Sequence, residues 1–155
     1  MASRLTRKPR AQPEFLMQSA LFTWARMPSN IRQYPGLELL EGSLNGVALT
    51  AAQAGKAKAA GMLKGAHDIT LPVARGGFIG LSIELKAGRN KPTDDQLEYG
   101  EALKREGWKV LYVWDDWLEV RNEIVAYLTQ LDWLDEAGLC RACGGSKTKP
   151  LPEKS

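Results

Sequence analysis

The chain has 155 residues, 44% hydrophobic and 25% charged, which fits one ordinary globular domain and excludes a wholly disordered or a membrane-embedded protein. Its net charge of +3 is uneven: residues 1–110 carry 16 Lys/Arg against 10 Asp/Glu, and residues 111–155 carry 5 against 8. No run of about 18 apolar residues could span a bilayer, and two cysteines, Cys140 and Cys143, are too few for a disulfide framework. The basic N-terminus lacks the apolar stretch and cleavage site of a secretory signal, so a cytoplasmic setting is expected, that of a host cell if the protein is viral. A basic body suits a polyanionic partner, although a solvated surface of mixed charge reads the same way.

In chain order, residues 1–12 read as a flexible arm bearing Arg4, Arg7, Lys8 and Arg10. A helix is expected from Pro13, where a missing N–H costs nothing, to just before Pro28. Glu14, Gln18, Leu21 and Ala25 fall on one face of it. Residues 30–48 are rich in Gly and Asn, with a short strand expected around 37–40. Thr50 is placed to cap a helix from Ala51 to about Leu63. Two strands follow, then Thr93 as the cap of a helix over 94–106 with Asp94 and Asp95 in its first turn and Gly107 ending it. On that helix Gln96, Tyr99, Gly100 and Leu103 share the inward face. The string 108–114 (WKVLYVW) reads as a strand. Residues 116–131 read as a helix with Leu118, Ile124, Val125 and Leu128 inward. The fold class is α/β, a mixed sheet flanked by helices. The domain is expected to span 13–135, with 136–155 a flexible tail.

Residues 66–86 carry the most information. His67, Ile69, Leu71 and Val73 alternate with Asp68, Thr70 and Pro72, the period of a strand. After Arg75-Gly76-Gly77 a second strand is expected over 78–86. Its odd positions (Ile79, Leu81, Ile83, Leu85) form an aliphatic face, and its even positions end in Glu84 and Lys86. The two runs predict an antiparallel hairpin. A loop centred on Gly76 sets Asp68 opposite Glu84 on one face of the sheet, with Lys86 two residues on. A bulge in the turn would shift that register.

Two unpaired carboxylates at such range repel, so one must take a proton or both must share a cation. A divalent metal answers this, since Mg²⁺ is held by one or two carboxylates and keeps several waters. Such a metal supports phosphodiester hydrolysis, and Lys86 would position the attacking water or hold a phosphate oxygen. An ordinary exposed strand carries Glu-x-Lys just as often, and Asp68 reads equally as a turn acid. The contrast with the aliphatic face opposite favours a site. Gln96 is either a satisfied core amide or a site ligand.

Residues 61–128 resemble the VRR-NUC family of the PD-(D/E)xK nuclease superfamily. The matching strings are GMLKGAHDITLP, GFIGLSIELKAGRNKPTDDQLEY and GWKVLYVW, followed by a helix ending in Ala126-Tyr127-Leu128. Leu44-Asn45-Gly46 resembles the family's Pro-Asn-Gly stretch, and Pro13-Glu14 with Gln18 its N-terminal acidic helix. The resemblance implies that Asp68 and Glu84 are metal ligands, Lys86 the catalytic lysine, Gln96 the active-site glutamine and Glu14 an accessory acid. It implies Mg²⁺ or Mn²⁺, phosphodiester hydrolysis in DNA, and a homodimer acting on branched or junction DNA, as in small phage-type members. His67 departs from the pattern by standing where the family has proline. Hairpin parity turns it away from Asp68, so it is expected to pack and not to ligate.

Lys56, Lys58, Lys64, Arg89 and Lys91, with the N-terminal arm, are the expected phosphate contacts. The absence of a base-reading motif points to recognition of shape. Cys140 and Cys143 form a lone C-x-x-C, short of the four ligands of a zinc site unless two chains share one. Trp114, Trp117 and Trp133 are candidates for a buried dimer face. Two other readings stay open: a catalytically inactive nucleic-acid-binding or assembly module, and a nuclease of the same superfamily serving restriction or recombination.

Overall fold

The computed structural model describes residues 13–43 and 50–130. The basic arm, Leu44-Asn45-Gly46, Trp133, Cys140, Cys143 and the 136–155 tail lie outside the described residues. In order, the elements are α1 (Pro13–Ala25), α2 (Pro28–Gln33), a 3₁₀ turn (Leu37–Leu39), β1 (Glu41–Gly42) and α3 (Ala51–Ala59). Then come β2 (Ile69–Leu71), β3 (Leu81–Lys86), α4 (Asp94–Arg105), β4 (Lys109–Trp114) and α5 (Trp117–Leu128). The strands form one sheet in the order β1-β2-β3-β4, antiparallel until β3 and β4 run parallel. The expected α/β class, a mixed sheet flanked by helices, is the one observed. Among the described residues no helix is long and apolar enough to cross a membrane.

The helix boundaries follow their caps. Thr50 and Thr93 each accept the backbone N–H of a glutamine three residues on, whose side chain returns to the threonine N–H. These reciprocal bonds satisfy donors that a helix start would otherwise leave open. Asp116 caps α5 by accepting from Leu118 N–H. Pro28, expected only to end α1, also begins α2, because proline suits the first position of a helix.

A strand was expected over 37–40. Instead Gly36, at φ 100°, turns the chain into the 3₁₀ segment, and pairing waits for Glu41. Leu37 and Leu40 sit three residues apart, so a 3₁₀ turn sends both into the core while Leu39 stays 52% exposed. Strand alternation would have grouped Leu37 with Leu39.

The hairpin holds the expected register by an unexpected route. Ile69 pairs with Ile83 and Leu71 with Leu81, so the next step outward sets Asp68 against Glu84. The turn itself is centred between Gly76 and Gly77, both at positive φ, with Arg75 bridged to Phe78. Residues 72–74 on one arm face only 79 and 80 on the other, and this extra residue restores the register. Both strands are shorter than expected. Ile79 is 40% exposed and leaves the aliphatic face, because parallel pairing with β4 begins only at Leu81.

The odd side chains of β3 (Leu81, Ile83, Leu85) pack with Val113 of β4 beneath α1 and α5. α1 contributes Met17, Leu21 and Ala25, and α5 contributes Val120, Ile124, Tyr127 and Leu128. Leu118, expected inward, is 42% exposed: two residues before Val120, it lies across the helix from the buried stripe. The buried Tyr127 hydroxyl donates to Val73 O at 2.6 Å. The opposite face carries Ser82, Glu84 and Lys86 beside Val110, Tyr112 and Trp114, and α4 crosses it with Gly100 against Tyr112 and Val110. All six residues of β3 are buried, so its charged end lies inside the protein.

Gly80 makes this packing testable. A Cβ there would stand 2.4 Å from the indole ring of Trp108. Gly80→Ala is expected to destabilise the fold by about 1–3 kcal/mol, as overpacking does. An unchanged urea midpoint would show that the indole moves aside without cost.

Candidate active site

The site forms where β2 begins and β3 ends. Asp68 lies one step before β2 and is 9% exposed; Glu84 and Lys86 on β3 are 1% and 7% exposed. Asp68 Oδ2 accepts the backbone N–H of Leu85 at 2.9 Å, which fastens one carboxylate to the strand that carries the other. Glu84 Oε1 accepts from Lys86 Nζ at 2.7 Å and from Gln96 Nε2. Glu84 Oε2 is buried and has no hydrogen-bond partner among the described residues. An orphaned carboxylate oxygen of this kind is costly unless something fills its place.

Electrostatics follow from this burial. Loss of water, and then the nearby Asp68 charge, push the Glu84 carboxyl from 4.5 up to about 7 despite the bonds from Lys86. Burial also raises Asp68, opposed by the Leu85 N–H and the Lys86 charge. Burial lowers the pKa of His67.

Glu14 and Gln96 approach from separate helices. Glu14, in the first turn of α1, accepts from Ala87 N–H at 3.2 Å and Asn90 Nδ2 at 3.4 Å, just past the end of β3. It lines a hollow of about 560 Å³ with Pro13, Ala87, Gly88, Arg89 and Asn90. Gln96 is the third residue of α4, and its Oε1 is occupied by Thr93 N–H. Its amide therefore serves as a cap and as a Glu84 donor at once. Asp68, Glu84, Lys86 and Gln96 thus meet from three parts of the chain, and Glu14 stands beside them at the end of β3.

The expected phosphate contacts divide into two groups. Lys58 and Lys64 line a cleft of about 410 Å³ between α3 and the start of α4, with Gln96 in its wall. Lys64 there pairs with Asp95 at 2.6 Å. Lys56 is exposed on α3 but does not line the cleft. Arg89 and Lys91 are exposed on the loop between β3 and α4.

Several residues shape the site in ways that were not read from the sequence. Gln18 Nε2 donates to the carbonyls of Ser43 and Asp68, holding the backbone under the aspartate. Its place on the same helix face as Glu14 was the available signal. Asp115, a non-glycine residue at φ 56°, accepts from Gly88 N–H at 2.7 Å and pins the Arg89 loop. Trp114 Nε1 donates to Asn90 O in the same loop. His67 packs as expected, but not where parity put it. Its ring meets Ser82 on the α4 side of the sheet, because the strand period begins only at Ile69.

The donors present fit a hard divalent cation. Asp68 and Glu84 offer opposed carboxylates, one with an orphaned oxygen. Among the described residues no three acidic, histidine or cysteine side chains converge as a ligand set. The remaining positions would therefore fall to water and backbone carbonyls, the habit of Mg²⁺.

No protein-family profile matches this chain, and no curated protein matches it. A solved structure does, described as a VRR_NUC domain protein. It is 25% identical, with a TM-score of 0.56 over 79% of this chain and 99% of the other. This likeness supports the family resemblance read from the motifs.

The raised Glu84 carboxyl has a signed consequence. Unfolded glutamate titrates near 4.5 and folded Glu84 near 7, so between them the folded state holds more protons. The stabilising contribution is full below pH 4.5 and is lost as pH rises through 7. In metal-free protein, Glu84→Gln should therefore gain stability over wild type as pH rises from about 4.5 to 7.5. Parallel urea midpoints for the two proteins across that range would contradict the assignment.

Proposed function

We propose that this protein is a Mg²⁺- or Mn²⁺-dependent endonuclease that hydrolyses phosphodiester bonds in DNA, selecting branched or junction structures by shape. The observation that carries this reading is the buried Glu84 Oε2, left without a partner opposite Asp68 and beside Lys86. The similarity to a VRR_NUC domain protein supports a nuclease domain.

In this reading Asp68 and Glu84 hold the cation. When bound, it supplies charge against the phosphoryl oxygens and lowers the pKa of a water. Leu85 N–H keeps Asp68 turned towards Glu84. Gln96 and Lys86 both hold Glu84 Oε1, which leaves Oε2 as the ligating oxygen. Lys86 donates to a phosphate oxygen or orients the attacking water, a task suited to a short, buried ammonium held beside a carboxylate. Glu14 is an accessory acid that fixes the Ala87 backbone and the Asn90 side chain at the mouth of the site. Burial of β3 on both faces excludes bulk water from behind these groups. Phosphate contacts are assigned to Lys56, Lys58, Lys64, Arg89 and Lys91. They flank the site and track a backbone, which supplies affinity without sequence information. The reading includes a homodimer. Trp114 and Leu118, 40% and 42% exposed, are apolar surface that a second copy would cover.

The test is cleavage of labelled linear, flapped and four-way-junction DNA with Mg²⁺ or Mn²⁺. Wild type is expected to cut, with a preference for the branched forms. Chelator and Glu84→Ala should each abolish cutting, and Lys86→Ala should slow it by roughly 100-fold or more. DNA left intact under every condition while binding persists would overturn the catalytic reading in favour of an inactive binding module.

A further inference from the structure

His67 has no task in the chemistry above, yet it is 2% exposed and both ring nitrogens are engaged. Nδ1 lies 2.8 Å from Ser82 Oγ, and Nε2 lies 3.1 Å from the backbone carbonyl oxygen of Gln96. A carbonyl can only accept, so Nε2 carries a proton whatever the charge on the ring. Tyr99 and Tyr112 meet the ring edge-on, with centroids at 5.1 and 5.4 Å. Gly100 lets α4 come this close, since a Cβ there would stand 3.2 Å from His67 Cε1. With both nitrogens committed, the ring is neither a free base nor an available cation ligand.

The tether ends on the residue that controls Glu84. Gln96 Oε1 is taken by Thr93 N–H, so the aim of its Nε2 depends on where the first turn of α4 sits. That turn is joined to β3 by the exposed loop 88–91, whose bonds to Glu14, Trp114 and Asp115 hold Gly88 and Asn90 but reach no residue of α4. His67 supplies a direct bond from the Asp68 segment to the carbonyl of Gln96, reinforced at 3.4 Å by the Tyr112 hydroxyl.

We propose that His67 is a positioning residue: its Nε2–H, steadied from behind by Ser82, ties α4 to the sheet. It thereby keeps the Gln96 amide on Glu84 Oε1, leaving Oε2 for the cation. The inference deepens the nuclease reading and rests on it for the kinetic arm of the test alone.

Three variants test it. His67→Phe keeps a ring in the cavity but removes both bonds; His67→Gln restores a donor of similar reach; Ser82→Ala removes only the support behind the ring. In the metal-free wild type, nitrogen-15 NMR should show a proton on His67 Nε2. It should also show a Gln96 side-chain amide protected from solvent exchange. His67→Phe should lose that protection, weaken Mn²⁺ binding and lower kcat by about 10–100-fold with KM for DNA little changed. His67→Gln should recover most of each loss, and Ser82→Ala should show the same changes at a few-fold. An unprotonated Nε2, or a Gln96 amide and Mn²⁺ affinity unchanged in folded His67→Phe, would overturn the proposal. Should His67→Phe fail to fold, Ser82→Ala decides by the same readouts, no change in them being the overturning result. If wild type cuts no DNA, the NMR and Mn²⁺ arms still judge the tether while the nuclease reading falls by itself.

Discussion

Two carboxylates buried against each other are the constraint around which the rest of this structure is arranged. Asp68, one residue before β2, lies against the β3 segment that carries Glu84, with little water to screen the pair. Burial first, and then the Asp68 charge, push Glu84 up to about 7. The surrounding groups divide the repulsion: Leu85 N–H takes one Asp68 oxygen, Lys86 and Gln96 take one Glu84 oxygen, and one oxygen is left over. Such an arrangement adds little to stability by itself.

The elements are placed in ways that keep this strained cluster in position. α1 reaches it twice, through Gln18 under Asp68 and Glu14 past the end of β3. α4 reaches it through Gln96, whose side chain caps the helix as it holds Glu84. β4 reaches it through Asp115 and Trp114, which hold the loop that carries Arg89. The apolar layer under α1 and α5 holds the other face of β3 in place. One strand therefore presents two chemistries, apolar on odd positions and ionic at the end of the even ones.

The division of labour between the carboxylates and their supports has a dynamic side. Capping boxes and backbone-directed side chains fix Asp68, Glu84 and Gln96 without calling on mobile surface groups. The basic residues are exposed, on α3, just after it and on the held loop after β3, where their long side chains reorient at little cost. A buried ionic centre with exposed cationic flanks is what the proposed reading of backbone geometry calls for.

Much of this was written locally in the chain. The caps at Thr50, Thr93 and Asp116, the paired glycines at 76 and 77, and the period-2 string through Glu84 act over a few residues. Their hydrogen bonds and sterics need no distant partner, so the helices after them and the opposition of Asp68 to Glu84 were legible. What lay beyond reach depended on contacts between segments distant in sequence. Parity put His67 on the wrong face, because the strand that would set it starts two residues later. Ile79 and Leu118 are apolar yet exposed, since where pairing starts and how α5 is rotated are decided by β4 and the core. Lys86 read as a charge on an open strand face, and only the tertiary fold buried it. The sequence by itself determined which side chains could share a face; tertiary packing decided which of those faces water never reaches, and burial is what turns a pair of acids and a lysine into a site.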